Sequence, residues 1–184
     1  MGHAPLARML TLMLTMTIAM AIDAHASDNQ LTLPHIRSED RRLRALIDDA
    51  LATSATVRAL VERINASDVV VYVECETAPS ARGPGRLNFI SAAGGYRYVL
   101  VRIKPKRRTA AIAILAHELQ HAVEIAEMPA VVDEDSLARE YARIGYRNPG
   151  AHSGLAFDTR AAVDTGRRVE QELRSLLVRP VEDD

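Results

Sequence analysis

The chain has a single cysteine, Cys75, no tryptophan and only two phenylalanines among its 184 residues. One thiol excludes an internal disulfide framework and any all-cysteine metal site. So few aromatics leave a mostly aliphatic core and argue against a sugar-binding or base-stacking surface rich in rings. An excess of one charge is missing too, because 23 Lys and Arg face 24 Asp and Glu for a net charge of −1. A dedicated nucleic-acid binder usually carries a large basic excess, so that class is set aside. The 48% of hydrophobic residues is ample for a core and excludes general disorder. Length and composition together fit one soluble globular domain.

The N-terminus reads as an address. Five of the six methionines fall within residues 1–20, and Met9 to Ile22 form an uncharged run of 14 residues behind Arg8. That run is shorter than the roughly 20 residues that span a bilayer. Ala24-His25-Ala26 follows, a small-x-small pattern of the kind a signal peptidase accepts. The expectation is a signal peptide over 1–26, cut after Ala26, and one domain over 27–184 that works in the periplasm or outside the cell. Membrane contact is then confined to the signal peptide before cleavage.

Residues 27–37 read as a lead-in loop. Ser38 is expected to cap a helix carrying Leu43, Leu46, Ile47, Ala50 and Leu51, and Ser54 a second one carrying Val57, Leu60, Val61 and Ile64. Val69 to Glu74 is β-branched and predicts a strand. Arg86 to Ser91 and Tyr96 to Lys104 predict a hairpin turning at Ala92-Ala93-Gly94-Gly95. In its second strand Arg97, Val99, Val101 and Ile103 share one face. The spacing predicts a long helix over 109–127, ended by Pro129. Another helix is expected from Ser136 to about Ile144, capped by Asp133 or Asp135 and ended by Gly145. A final helix is expected from about Asp158 to Val178, burying Ala162, Val163, Val169, Leu173, Leu176 and Leu177.

The chemistry is concentrated in His117-Glu118-Leu119-Gln120-His121. Two histidines four residues apart on a helix project from one face, one turn apart. Their ring nitrogens can meet at one tetrahedral zinc ion. Glu118 follows the first histidine and can take a proton from a water at the metal without being a ligand, then pass it to a leaving amine. Only four histidines remain after Ala26, and two of them are here.

This stretch resembles the active-site helix of the zincin metallopeptidases. The similarity covers the motif and the strand-then-helix order over residues 96–127, with a weaker match near the C-terminus. It implies a Zn²⁺ ion held by His117 and His121, Glu118 as general base, and a peptide or protein substrate lying along the strand before the helix. One zincin branch takes its third ligand six residues after the second histidine, following a glycine. Glu127 has that offset here, but Glu124 stands where the glycine would be. A second branch takes a glutamate from a later helix, and Asp158-Thr159-Arg160-Ala161 resembles that pattern with aspartate in its place. Asp158 is the favoured third ligand, with Glu124 and Glu127 as alternatives. Asp158 also suits a helix N-cap, Glu124 a partner that orients His121, and Glu127 a solvated carboxylate. Tyr141, Tyr146 and His152 lie where they could stabilise a developing oxyanion, but chain position alone selects them and each is expected to be a packing or surface residue instead.

Other features carry less. Lys104 to Arg108 is a short basic cluster at the hairpin end. Gly166 interrupts the last helix and suggests a close helix contact. The resulting expectation is an α+β fold in which a small antiparallel sheet of about three strands packs against the His117–His121 helix, with later helices closing the far side. The expected activity is zinc-dependent peptide-bond hydrolysis. The alternative is an exported zincin-like protein that binds a metal or a partner without cutting.

Overall fold

Alternation along one strand organises the molecule. In Tyr96–Ile103 (β4) the side chains of Arg97, Val99, Val101 and Ile103 are buried on one face, as the period of two requires. The computed structural model describes residues 34–78, 83–104, 106–147 and 157–178. The expected signal peptide and His152 lie outside these. No described helix is long and apolar enough to cross a membrane.

The fold is α+β. Its main sheet contains β1 (Ile36–Arg37), β2 (Val69–Cys75), β3 (Gly85–Ala93) and β4, in the order β1-β2-β4-β3. The β3–β4 hairpin is antiparallel and turns at Gly94 and Gly95, with φ of 60° and 80°. Both values favour glycine, as a two-residue hairpin turn demands. β2, however, lies parallel to β4, with Val71 opposite Val99 and Val73 opposite Val101, and β1 lies parallel to β2. The sheet is therefore mixed, which corrects the expected antiparallel one. The physical reason is burial. Val69, Val70, Val71 and Val73 are all sequestered, so β2 takes an interior place beside β4, while the more exposed β3 takes the edge.

Helices α1 (Arg41–Thr53), α2 (Ala55–Asn65) and α3 (Arg108–Glu127) form one core with the inward face of the sheet. Asp40, not Ser38, caps α1 by accepting from the Arg42 N–H at 2.7 Å. Ser38 instead donates to the Val73 carbonyl and ties the β1 end to β2. Ser54 caps α2 through the Val57 N–H, as expected. α3 is buried nearly all round, the mark of a central helix. Arg97 holds its C-terminal end, donating to the carbonyls of Ile125 and Met128 at 2.7 and 2.8 Å and to both oxygens of Asp68.

α4 (Glu134–Ile144) opens on a capping box made by Asp133 and Ser136. Two short strands, β5 (Tyr146–Arg147) and β6 (Phe157–Asp158), pair antiparallel and set Asp158 opposite Tyr146. α5 (Arg160–Val178) packs along α3 and also meets α2. Ala162, Val169 and Leu173 are its buried contacts, whereas Leu176 and Leu177 are exposed, contrary to expectation. The last turns of α5 run past the core, so their apolar residues find nothing to cover them among the described residues.

Candidate metal centre

Helical spacing puts His117 and His121 on one face of α3, their ring centroids 5.0 Å apart. The β5–β6 pair brings Asp158 to the same place from a remote part of the chain. Asp158 Oδ1 stands 3.5 Å from His117 Nε2 and 3.8 Å from His121 Nε2. One ligand atom from each of the three residues lies within 4.8 Å of the others. The donor set is two imidazole nitrogens and one carboxylate oxygen, a combination that suits a metal ion.

His121 is held from behind. Glu124 sits one turn beyond His121 and accepts from its Nδ1–H at 2.8 Å, which leaves Nε2 as the lone-pair nitrogen facing Asp158. Glu124 also accepts from the Thr159 hydroxyl at 2.6 Å and the Tyr141 hydroxyl at 3.0 Å. Four buried side chains from α3, α4 and the start of α5 thus share one network. His117 faces α5. Gly166 lies beside the histidine, where a Cβ would come within 3.5 Å of His117 Cβ and 3.3 Å of the Ala113 carbonyl. This is the close helix contact that the glycine suggested.

The three carboxylates offered as third ligand separate cleanly. Asp158 joins the histidines. Glu124 lies behind the His121 ring and orients it. Glu127 is exposed and ion-paired with Arg63, because α3 continues without a glycine break and carries it away. Asp158 is not the cap of α5: the Thr159 hydroxyl takes that role by accepting from the Ala162 N–H at 3.1 Å.

Electrostatics follow from burial. Glu118 is 4% exposed, and burial pushes its carboxyl up to about 7, aided by the Asp158 charge and opposed by His121. No hydrogen bond to the Glu118 carboxyl is made among the described residues. Burial lowers the pKa of His117, with the neighbouring His121 adding to the effect. Burial also opposes charge on His121, but the Glu124 hydrogen bond and the surrounding acids outweigh it and raise the pKa. Burial would raise Glu124, yet its hydrogen bonds from His121, Thr159 and Tyr141 bring it below the usual carboxylate range.

Tyr141 and Tyr146 take the packing and surface places expected of them, and the expected substrate strand is corrected. Tyr141 contacts the Nδ1 side of His121 and Glu124, away from the Nε2 that faces Asp158. It therefore packs behind the His121 ring; Tyr146 is exposed on β5. The strand immediately before α3 is β4, which is paired on both sides and has no free edge for a substrate backbone. On that side of the sheet the edge strand is β3.

Thr159 and Gly85 escaped the sequence reading. Thr159 could have been found as a capping residue three positions before the buried Ala162. Gly85, just ahead of the strand expected from Arg86, lies against Glu118; a glycine opening a strand is a signal of close approach. No protein-family model, curated protein or solved structure matches the chain.

Proposed function

We propose that the protein is a zinc-dependent peptidase of zincin type, acting in the periplasm or outside the cell. The observation that carries this reading is the convergence of His117, His121 and Asp158 beside a buried carboxylate, Glu118, that is not one of the three donors. The fit to zinc is supported by distance. A tetrahedron with bonds of about 2.05 Å has edges of about 3.4 Å, and the Nε2–Oδ1 separations of 3.5 and 3.8 Å are close to that. Bound there, zinc would polarise a carbonyl and acidify a water.

The chain's own residues carry the remaining tasks. His117, His121 and Asp158 hold the ion. Glu124, Thr159 and Tyr141 keep His121 in the orientation that offers Nε2. Glu118, buried beside the three donors without being one of them, takes a proton from the attacking water and returns it to the leaving amine. The exported location rests on residues 1–26 alone.

The test uses purified protein and dye-labelled casein. About one zinc per chain is expected, falling on His117→Ala. Glu118→Gln should retain the metal and lose cleavage by at least about 100-fold, the usual contribution of a general base. Metal loss with Glu118→Gln, or unchanged cleavage, would reject the mechanism. A second reading, metal binding without hydrolysis, is favoured by the near-complete burial of Glu118; it predicts bound metal and no cleavage by the wild-type chain.

A further inference from the structure

The six described glycines fall into two kinds. Gly83, Gly94 and Gly95 have positive φ and serve turns. Gly85, Gly145 and Gly166 do not, so their backbones would accept other residues; what they lack is volume. Each of these three abuts one residue of the candidate site. A Cβ at Gly166 would crowd the Ala113 carbonyl at 3.3 Å and touch His117 at 3.5 Å, and one at Gly145 would meet the Asp158 carbonyl oxygen at 2.7 Å. A Cβ at Gly85 would stand 2.6 Å from Glu118 Oε1, 3.2 Å from its Cδ and 2.7 Å from Ile114 Cγ2.

Gly85 is the most telling of the three, because its nearest atom is the reactive end of a side chain. We propose that Gly85 is a positioning residue for the proton acceptor: the side chain it lacks leaves the space in which the Glu118 carboxylate stands. This rests on the peptidase reading of the site. The start of β3 cannot withdraw to make room. Gly85 pairs with Ile103, and the Pro84 carbonyl accepts from the Lys104 N–H at 2.9 Å. The carboxylate can move, being the far end of a flexible side chain. A methyl group at position 85 therefore displaces the base, and the helix and strand stay in place. The three atoms nearest to it belong to Glu118 and Ile114, not to the candidate donors His117, His121 and Asp158. Misplacing a reacting group by about 1 Å costs on the order of 100-fold in rate, so a single methyl group here acts chiefly on turnover.

The test is Gly85→Ala in the full chain. It should retain the wild-type metal content, and kcat on dye-labelled casein should fall on the order of 100-fold with KM little changed. A merely structural glycine would lower metal content and folded fraction together. A second readout needs no activity. In metal-free protein, the Tm loss caused by Gly85→Ala should shrink by roughly half or more in a Glu118→Ala background, since the two sites are coupled by contact. Equal Tm losses in both backgrounds would overturn the proposal, as would wild-type turnover by Gly85→Ala. Should the single variant fold poorly, Gly85→Ala/Ile114→Ala removes the other obstructing atoms. It should fold and still lose turnover, and full recovery would show that the glycine serves Ile114 instead. If the wild-type chain cleaves nothing, the peptidase reading fails while the thermal coupling still decides the placement of Glu118 by Gly85.

Discussion

His121 and Glu124 are joined across one turn of α3 by a buried hydrogen bond of 2.8 Å, Nδ1–H to Oε2. The same carboxylate receives the hydroxyls of Thr159 and Tyr141. His121 on α3 is thereby coupled to the residue next to Asp158, the candidate third donor, which comes from another element.

Glu124→Ala should weaken metal affinity by about 10–100-fold, the usual effect of losing a partner that orients a ligating histidine. Glu124→Gln keeps an acceptor and should lose less. Competition with a chromogenic chelator would measure both. Equal affinity in wild type and Glu124→Ala would reject the orienting role.

Asp158→Asn and Glu127→Ala form a matched pair. Asp158→Asn should lose most of the bound metal, because a charged donor becomes a neutral amide. It should leave metal-free stability within about 1 kcal/mol of wild type, since Thr159 carries the cap of α5. Glu127→Ala removes only an exposed ion pair with Arg63 and should change stability by less than about 0.5 kcal/mol. Its metal content should equal wild type. Metal analysis on the two variants side by side reads out both expectations.

What could be read from the sequence divides along physical lines. The helices and hairpin were legible because their signals are local: the caps at Ser54 and Asp133, the glycine pair at the hairpin turn, and the alternation along β4. The parallel pairing of β2 with β4 joins segments separated by an entire hairpin and has no turn signature, so an antiparallel sheet was expected in its place. The two-residue strands β1, β5 and β6 are too short to show a period. At the site, His117, Glu118 and His121 lie on one helix and their spacing alone places them together. Asp158 required a resemblance in addition, and the structure places it at the histidines. The roles of Tyr141 and Thr159 depend on tertiary contacts across three elements. The contact between Gly85 and Glu118 is equally non-local, and Gly85 lies beside turn glycines from which composition cannot separate it.

Burial of Glu118 has a consequence for pH. Its carboxyl stands at about 7 in the folded chain against 4.5 in the unfolded one. Between those values the folded state binds the extra proton, so stability falls as pH rises through this window. The shift corresponds to about 3 kcal/mol. Other groups titrate in the same range, so the informative quantity is a difference. In the presence of a chelator, urea unfolding of wild type and Glu118→Gln at pH 4.5, 6 and 8 should diverge as pH rises. The variant should gain relative stability of about 2–3 kcal/mol by pH 8. A constant difference across the range would place the Glu118 carboxyl in a solvated environment.

Arg97 supports the site from a distance. It is buried, donates to both oxygens of Asp68 at 2.6 and 2.7 Å, and satisfies the carbonyls of Ile125 and Met128 where α3 ends. Each of these carbonyls also accepts a backbone N–H at 3.0 Å, from Met128 and Val131 respectively, so Arg97 adds charge-assisted bonds worth about 1.5–3 kcal/mol each to acceptors that already have a partner. Arg97→Met preserves much of the side-chain volume and removes every donor. It should cost about 2–4 kcal/mol in urea unfolding, less than a fully buried pair because Asp68 can be rehydrated. Arg97 also holds the Asp68 carboxyl below its usual range, with burial opposing. That contribution is present above the unfolded value of 3.8 and is lost as pH falls through the lower folded value. Wild type should therefore lose part of its advantage over Arg97→Met on acidification below pH 4. Folded Arg97→Met should still bind metal as wild type does, since the C-terminal end of α3 lies beyond His121. Loss of metal from a folded variant would instead mean that the helix end positions the histidines.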